Sequence, residues 1–190
     1  MKNLILAALA AISAVFAPNA FAAGGNAGKT LVVYYSASGV TAKAAEIIAE
    51  NLGADIFEVK CAEPYSGADL DWTDPASRCC REHDNPALRK VALEREHVDG
   101  WENYETVFVG YPIWWGIAAW PLTTFVEAND FAGKIVIPFA TAISSGLGAS
   151  GKLLAQSSRG KWLTGRRFYS SRIRESEIRK WLDGLGFAKN

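Results

Sequence analysis

The chain has 190 residues, 49% hydrophobic, 12% aromatic and 21% charged, with twenty Lys plus Arg against twenty Asp plus Glu. That balance excludes disorder, collagen and coiled coil. It also leaves no basic surplus to neutralise the phosphates of nucleic acid or an anionic membrane surface. Three cysteines are too few for a disulfide-held scaffold, so one domain around one packed core is expected.

Lys2, an apolar run from Leu4 to Phe16, Pro18 and the small-residue pattern Ala20-Phe21-Ala22 read as a secretory signal peptide over residues 1–22, cut before Ala23. The run is shorter than the about 20 apolar residues that span a bilayer. Export to a periplasm or the exterior is therefore expected, with no stable membrane insertion after cleavage. Residues 23–29 read as a loose lead-in, and residues 30–190 as the folded domain.

Leu31 to Tyr35, Val107 to Tyr111 and Ile135 to Phe139 are short continuous apolar runs, rich in β-branched and aromatic residues. They predict strands covered on both faces, as in a parallel sheet. Ile56 to Lys60 alternates at its charged end and predicts an edge strand. Thr41 to Leu52 predicts a helix, with Ala44, Ala45, Ile48 and Leu52 on one stripe and Gly53 as C-cap. Further helices are predicted over Pro121 to Glu127, over Gly151 to Gln156 and around Ile178, Trp181, Leu182 and Leu185. A weak strand fits Trp162 to Phe168. Strands alternating with helices give an α/β doubly wound sheet of about five strands. Cys61 to Trp101 breaks the rhythm, being polar, rich in Asp, Pro and Arg and without a period, and reads as a long insertion that is functional or mobile.

Ligands of an open parallel sheet bind beyond the carboxyl ends of its strands. Ser36-Ala37-Ser38-Gly39-Val40-Thr41 follows the first strand and runs into the first helix. Its hydroxyls, its glycine and the free N–H groups of a helix N-terminus can cradle a phosphate, or the loop is a plain N-cap. Pro112-Ile113-Trp114-Trp115-Gly116 follows the third strand. Two adjacent indoles cannot both enter one core, so at least one is expected to face the crevice as a stacking surface; the alternative is an aromatic cluster that holds the loop down. Thr141-Ala142-Ile143-Ser144-Ser145-Gly146-Leu147-Gly148 offers hydroxyls and backbone to a polar ring edge, or is an ordinary Gly-rich turn.

Three such motifs in this order, over about Thr30 to Gly151, resemble the flavodoxin-like proteins, in particular the bacterial branch with a Tyr-Pro-Ile-Trp-Trp-Gly segment. The resemblance implies a five-stranded sheet of order 2-1-3-4-5 in three layers, α/β/α, and bound FMN. It places Ser36, Ser38, Gly39, Val40 and Thr41 on the FMN phosphate, Pro112, Ile113, Trp114, Trp115 and Gly116 beside the isoalloxazine ring, and Thr141, Ser144, Ser145 and Gly146 at the ring edge. Val40 stands where the family usually has Asn, which keeps the backbone N–H and removes a side-chain hydrogen bond.

Gly146 to Lys152 imitates a nucleotide loop, but Leu153 occupies the place of the Ser or Thr that would hold magnesium. Cys61, Cys79, Cys80, His83 and His97 are too irregularly spaced for a zinc site. In an oxidising compartment a bridge from Cys61 to Cys79 or Cys80 is expected, with Arg78, Arg81 and His83 lowering a thiol pKa. The function expected is that of an exported FMN-binding redox protein, working with a redox partner protein or a small-molecule electron acceptor. The alternatives are an NAD(P)H-dependent flavin or quinone oxidoreductase and a flavin-free scaffold that binds through the insertion.

Overall fold

The computed structural model describes residues 28–187, so the expected signal peptide lies outside the described residues. In chain order the elements are β1 (Lys29–Tyr34), α1 (Val40–Leu52), β2 (Asp55–Glu58), α2 (Arg78–Asp84), β3 (Tyr104–Trp114), β4 (Ile117–Ala118), α3 (Trp120–Ala128), β5 (Ile135–Ala142), α4 (Ser150–Gln156), β6 (Lys161–Trp162), β7 (Arg166–Tyr169) and α5 (Glu175–Gly184). The main sheet runs β2-β1-β3-β5, with β6 and β7 both beside β5 and every pair parallel. This is the expected 2-1-3-4-5 order with its last strand in two pieces. The short β4 pairs antiparallel with the tip of β3.

The continuous apolar runs are buried on both faces because successive side chains point to opposite sides of a strand. Leu31, Val33, Val107 and Val109 pack with Leu122 and Phe125 of α3. Val32, Phe108, Ile137 and Phe139 pack with Ile48 of α1 and with Ile178 and Trp181 of α5. β2 is the edge strand predicted, with Ile56 46% exposed. β1 opens at Lys29, one residue before the predicted start and inside the expected lead-in.

The weak last strand breaks between Trp162 and Arg166 for a reason visible in β5. Lys161 N–H donates to Lys134 O and Leu163 N–H to Val136 O, so alternate residues of β5 present their polar groups to this neighbour. The next such residue is Pro138, which has no N–H to offer, and the ladder resumes only beyond it.

Cys61 to Trp101 is a built strap rather than a featureless loop. An antiparallel bridge between Cys61 and Leu93 closes its base, and α2 stands inside it, N-capped by Ser77, whose Oγ accepts from the Cys80 N–H at 3.3 Å. Between these, side chains fold their own backbone into turns: Asp69 accepts from Ser66, Asp71 from Thr73 and Asp74 from Ala76. The expected disulfide is absent. Cys61, Cys79 and Cys80 are free and buried, and burial raises the pKa of Cys61 and Cys79 where the neighbouring cations had been expected to lower a thiol.

Candidate functional site

The carboxyl ends of β1, β3 and β5 open on one crevice. α1 begins there with Gly39 at its N-cap, in the left-handed region at φ 81°, a turn that glycine makes without strain. No side chain caps the helix. Lys43 N–H donates back to Gly39 O, and the N–H groups of the first turn have no intrahelical acceptor. Ser38 is exposed beside this opening and Val40 is the first helical residue. Ser36 and Ala37 are half-buried, and the Ser36 Oγ is buried with no hydrogen-bond partner. Thr41 is not free to serve the opening with its whole hydrogen-bonding capacity, because its Oγ1 lies 2.7 Å from that of Thr141. That bond ties the first turn of α1 to the end of β5.

Pro112, Ile113 and Trp114 belong to β3, which runs on past its predicted end because β4 gives its tip an antiparallel partner. Trp115 and Gly116 form the two-residue turn between them, at φ 46° and 80°. Positive φ at both positions is what a tight hairpin of the sheet's twist requires, and Trp115 is the only non-glycine residue with positive φ among those described. Both indoles border the crevice, and both are also packed into an aromatic cluster. Trp114 is packed edge-on by Tyr35, Tyr65 and Trp120 at 5.2 to 5.9 Å. Trp115 stacks on His83 at 4.5 Å and lies parallel to Trp120 at 6.1 Å. The aromatic cluster is real, and the ring edges that remain open line a cavity.

That cavity has a volume of about 500 Å³. Ile113, Trp114 and Trp115 form one wall, and Ala142, Ile143, Ser144 and Ser145 a second. Gly146 lies in the same exposed loop. A third wall comes from the strap, through Leu70, Trp72 and Cys79. Sequence reasoning missed all three of these. Trp72, 74% exposed in a stretch of Asp and Thr, was the available signal, since a large aromatic without a core to enter asks for another surface to cover. The loops after β3 and β5 touch, for a Cβ on Gly148 would stand 3.0 Å from Gly116 O.

Behind Trp114 the strap is braced by Glu82, whose carboxylate accepts from Tyr65 Oη at 2.5 Å and from Arg78 Nε at 2.8 Å. Arg78 also covers the Tyr65 ring at 4.0 Å. Burial raises the pKa of Tyr35, and burial together with the Glu82 hydrogen bond raises that of Tyr65. Burial pushes the Cys61 thiol up to about 11. These groups hold their protons at neutral pH, and the Tyr65 hydroxyl is committed to Glu82.

No curated protein matches the chain. Among solved structures it is similar to a protein from Bacteroides uniformis ATCC 8492 classed as a flavoprotein, at 38% identity and TM-score 0.76, covering 83% of this chain and 99% of that one. A similarly classed protein from Bacteroides eggerthii DSM 20697 has 38% identity and TM-score 0.73 over 83% of this chain and 98% of its own. A flavoprotein from Lactobacillus acidophilus NCFM, solved in complex with FMN, has 26% identity and TM-score 0.56 over 82% and 99%. The family model for flavodoxin matches residues 29–185. With the sheet order, the open helix and the aromatic hairpin in place, this chain belongs to the flavodoxin family.

Proposed function

We propose that this chain is an exported FMN-binding redox protein that takes part in electron transfer, passing electrons to or from a redox partner protein or a small-molecule acceptor. The observation that carries this reading is the two-part shape of the site. An uncapped helix N-terminus beside a buried, unpartnered Ser36 hydroxyl adjoins a cavity with aromatic and aliphatic walls. FMN has matching halves, a phosphate tail and a flat tricyclic ring, and the Lactobacillus acidophilus relative is solved with it.

Bound FMN would supply the redox chemistry, one or two electrons at a time. The chain's own residues would do the rest. Ser36, Ser38 and the N–H groups of Val40 and Thr41 would donate to the phosphate, helped by the positive end of the α1 dipole. Trp72 and the Trp114–Trp115 hairpin would cover the ring and exclude water from it. Ser144 and Ser145 would offer hydrogen bonds to its polar edge. Export rests on residues 1–22, and a mature N-terminus at Ala23, read by mass spectrometry, is the expected outcome.

The test begins with colour. Purified protein should be yellow and release FMN in acid. Ser36→Ala combined with Ser38→Ala should weaken FMN strongly, because each hydrogen bond to a charged phosphate contributes about 1.5 to 3 kcal/mol, and should weaken riboflavin far less. Equal loss for both flavins would remove residues 36–41 from the phosphate. The near balance of charge gives little long-range steering toward a protein partner and so favours a small-molecule acceptor over a carrier's partner. Steady NADPH oxidation by the yellow protein would establish the enzyme reading.

A further inference from the structure

Among the described residues, four buried polar side-chain atoms have no hydrogen-bond partner: Ser36 Oγ, Trp120 Nε1, Arg167 Nη1 and Ser170 Oγ. Ser36 stands at the opening of α1. Ser170 directly follows a different strand, β7, and nothing said so far gives it a role. Its N–H donates to Ala142 O at 3.0 Å, which carries the β5–β7 ladder one residue past the Ala142–Tyr169 pair.

The register places its side chain. Phe168 lies opposite Thr141 and packs among the α1 and α5 residues. Two residues on, Ser170 returns to that same face of the sheet. It is the face on which Thr41 meets Thr141. The Ser170 hydroxyl therefore stands at the carboxyl edge on the side where α1 opens, one strand spacing of about 4.8 Å across from β5 and two residues, about 6.6 Å, further along than Thr141.

Donor counting gives this hydroxyl a task. A phosphate dianion accepts several hydrogen bonds, and the loop from Ser36 to Thr41 supplies fewer donors than its composition indicates. The Thr41 and Thr141 hydroxyls are spent partly on each other, so the pair has one free hydrogen rather than two. We propose that Ser170, delivered from β7, is a further ligand of the phosphate at the N-terminus of α1, donating its hydroxyl to a phosphate oxygen. The proposal rests on the FMN reading and adds a residue from the far strand to the site.

The experiment compares the wild-type protein with Ser170→Ala and Ser170→Thr by flavin titration and by thermal unfolding of the apo-protein with and without inorganic phosphate. Ser170→Ala should raise the Kd for FMN about tenfold or more and change that for riboflavin less than about twofold. It should also lose most of the melting-temperature rise that phosphate gives the wild type. Without ligand it should be at least as stable as the wild type, since the variant removes a buried hydroxyl that had no partner. Ser170→Thr, which keeps the hydroxyl, should bind FMN like the wild type. Unchanged FMN affinity in Ser170→Ala, or equal loss for FMN and riboflavin, overturns the role of Ser170 while the phosphate site stands. A wild type that binds riboflavin as tightly as FMN, and that phosphate does not stabilise, overturns the site and Ser170 together.

Discussion

Cys61 and Thr41 show how far a single side chain departs from what its neighbours in sequence announce. The cations near Cys79 and Cys80 argued for reactive thiols, yet what sets Cys61 is its enclosure beneath the strap, which lifts its pKa from 9.0 to about 11. A folded-state pKa above the unfolded one means that the contribution to stability is complete below pH 9 and is lost as pH rises toward 11. Urea unfolding across that window should show falling stability, and Cys61→Ala should make the fall shallower even though the variant starts less stable. Thr41 read as a phosphate ligand from its place in the loop, and its bond to Thr141, a hundred residues away, was not legible there. Thr41→Val keeps the shape and leaves Thr141 without a partner, so a loss of about 1 to 3 kcal/mol is expected in the same measurement. Trp72 presents the opposite case, being exposed and engaged with little. Trp72→Ala should leave stability within about 0.5 kcal/mol, while FMN titration should show binding weaker by about 1 kcal/mol.

Elements carried by periodicity were legible because each strand and helix writes its own burial into the order of its residues. α1 and α5 bury most of the residues that their 3.6-residue spacing marks, with Leu52 and Leu185 half-buried, and the three central strands bury their runs apart from a half-buried Ile135. The strap carries no such mark. Its turns are closed by Asp and Ser side chains on adjacent backbone, α2 has only 7 residues, and its brace reaches across to Trp114 through Tyr65. Likewise β3 outran its prediction because its continuation depends on β4, a partner of 2 residues that no window would detect. The brace can be tested as a unit. Glu82→Leu leaves the Arg78 guanidinium and the Tyr65 hydroxyl without their shared acceptor inside the strap, at a cost of about 3 kcal/mol. Hydrogen exchange should quicken in residues 61–101 and remain slow in β1, β3 and β5.

For the molecule as a whole, topology was readable from the order of strands and helices, because right-handed crossovers leave few ways to lay a parallel sheet. The site was half readable. Two of its walls follow strands β3 and β5, where the fold rule directs attention, while the third arrives from an insertion about which the rule says nothing. Walls held by separate segments make binding a global event. FMN should raise the melting temperature with the logarithm of its free concentration over its Kd. It should also slow exchange together in the strap, the β3–β4 hairpin and residues 141–146, leaving the edge strand β2 unchanged.

All three sulfurs of the cysteines lie at the root of the strap or within it, shielded from solvent. Cys79 also borders the cleft, but a thiol reagent can reach Cys80, whose Sγ lies against the Asp71 and Trp72 carbonyls inside the strap, only when the strap lifts. Under native conditions the labelling rate, divided by that of an unfolded peptide, becomes a built-in stopwatch for that opening, read without any probe being added to the chain. Filling the cleft should slow the stopwatch, and Glu82→Leu should speed it. A flavin that clamps its own cover would then be seen in the chemistry of sulfur before any change in colour was followed.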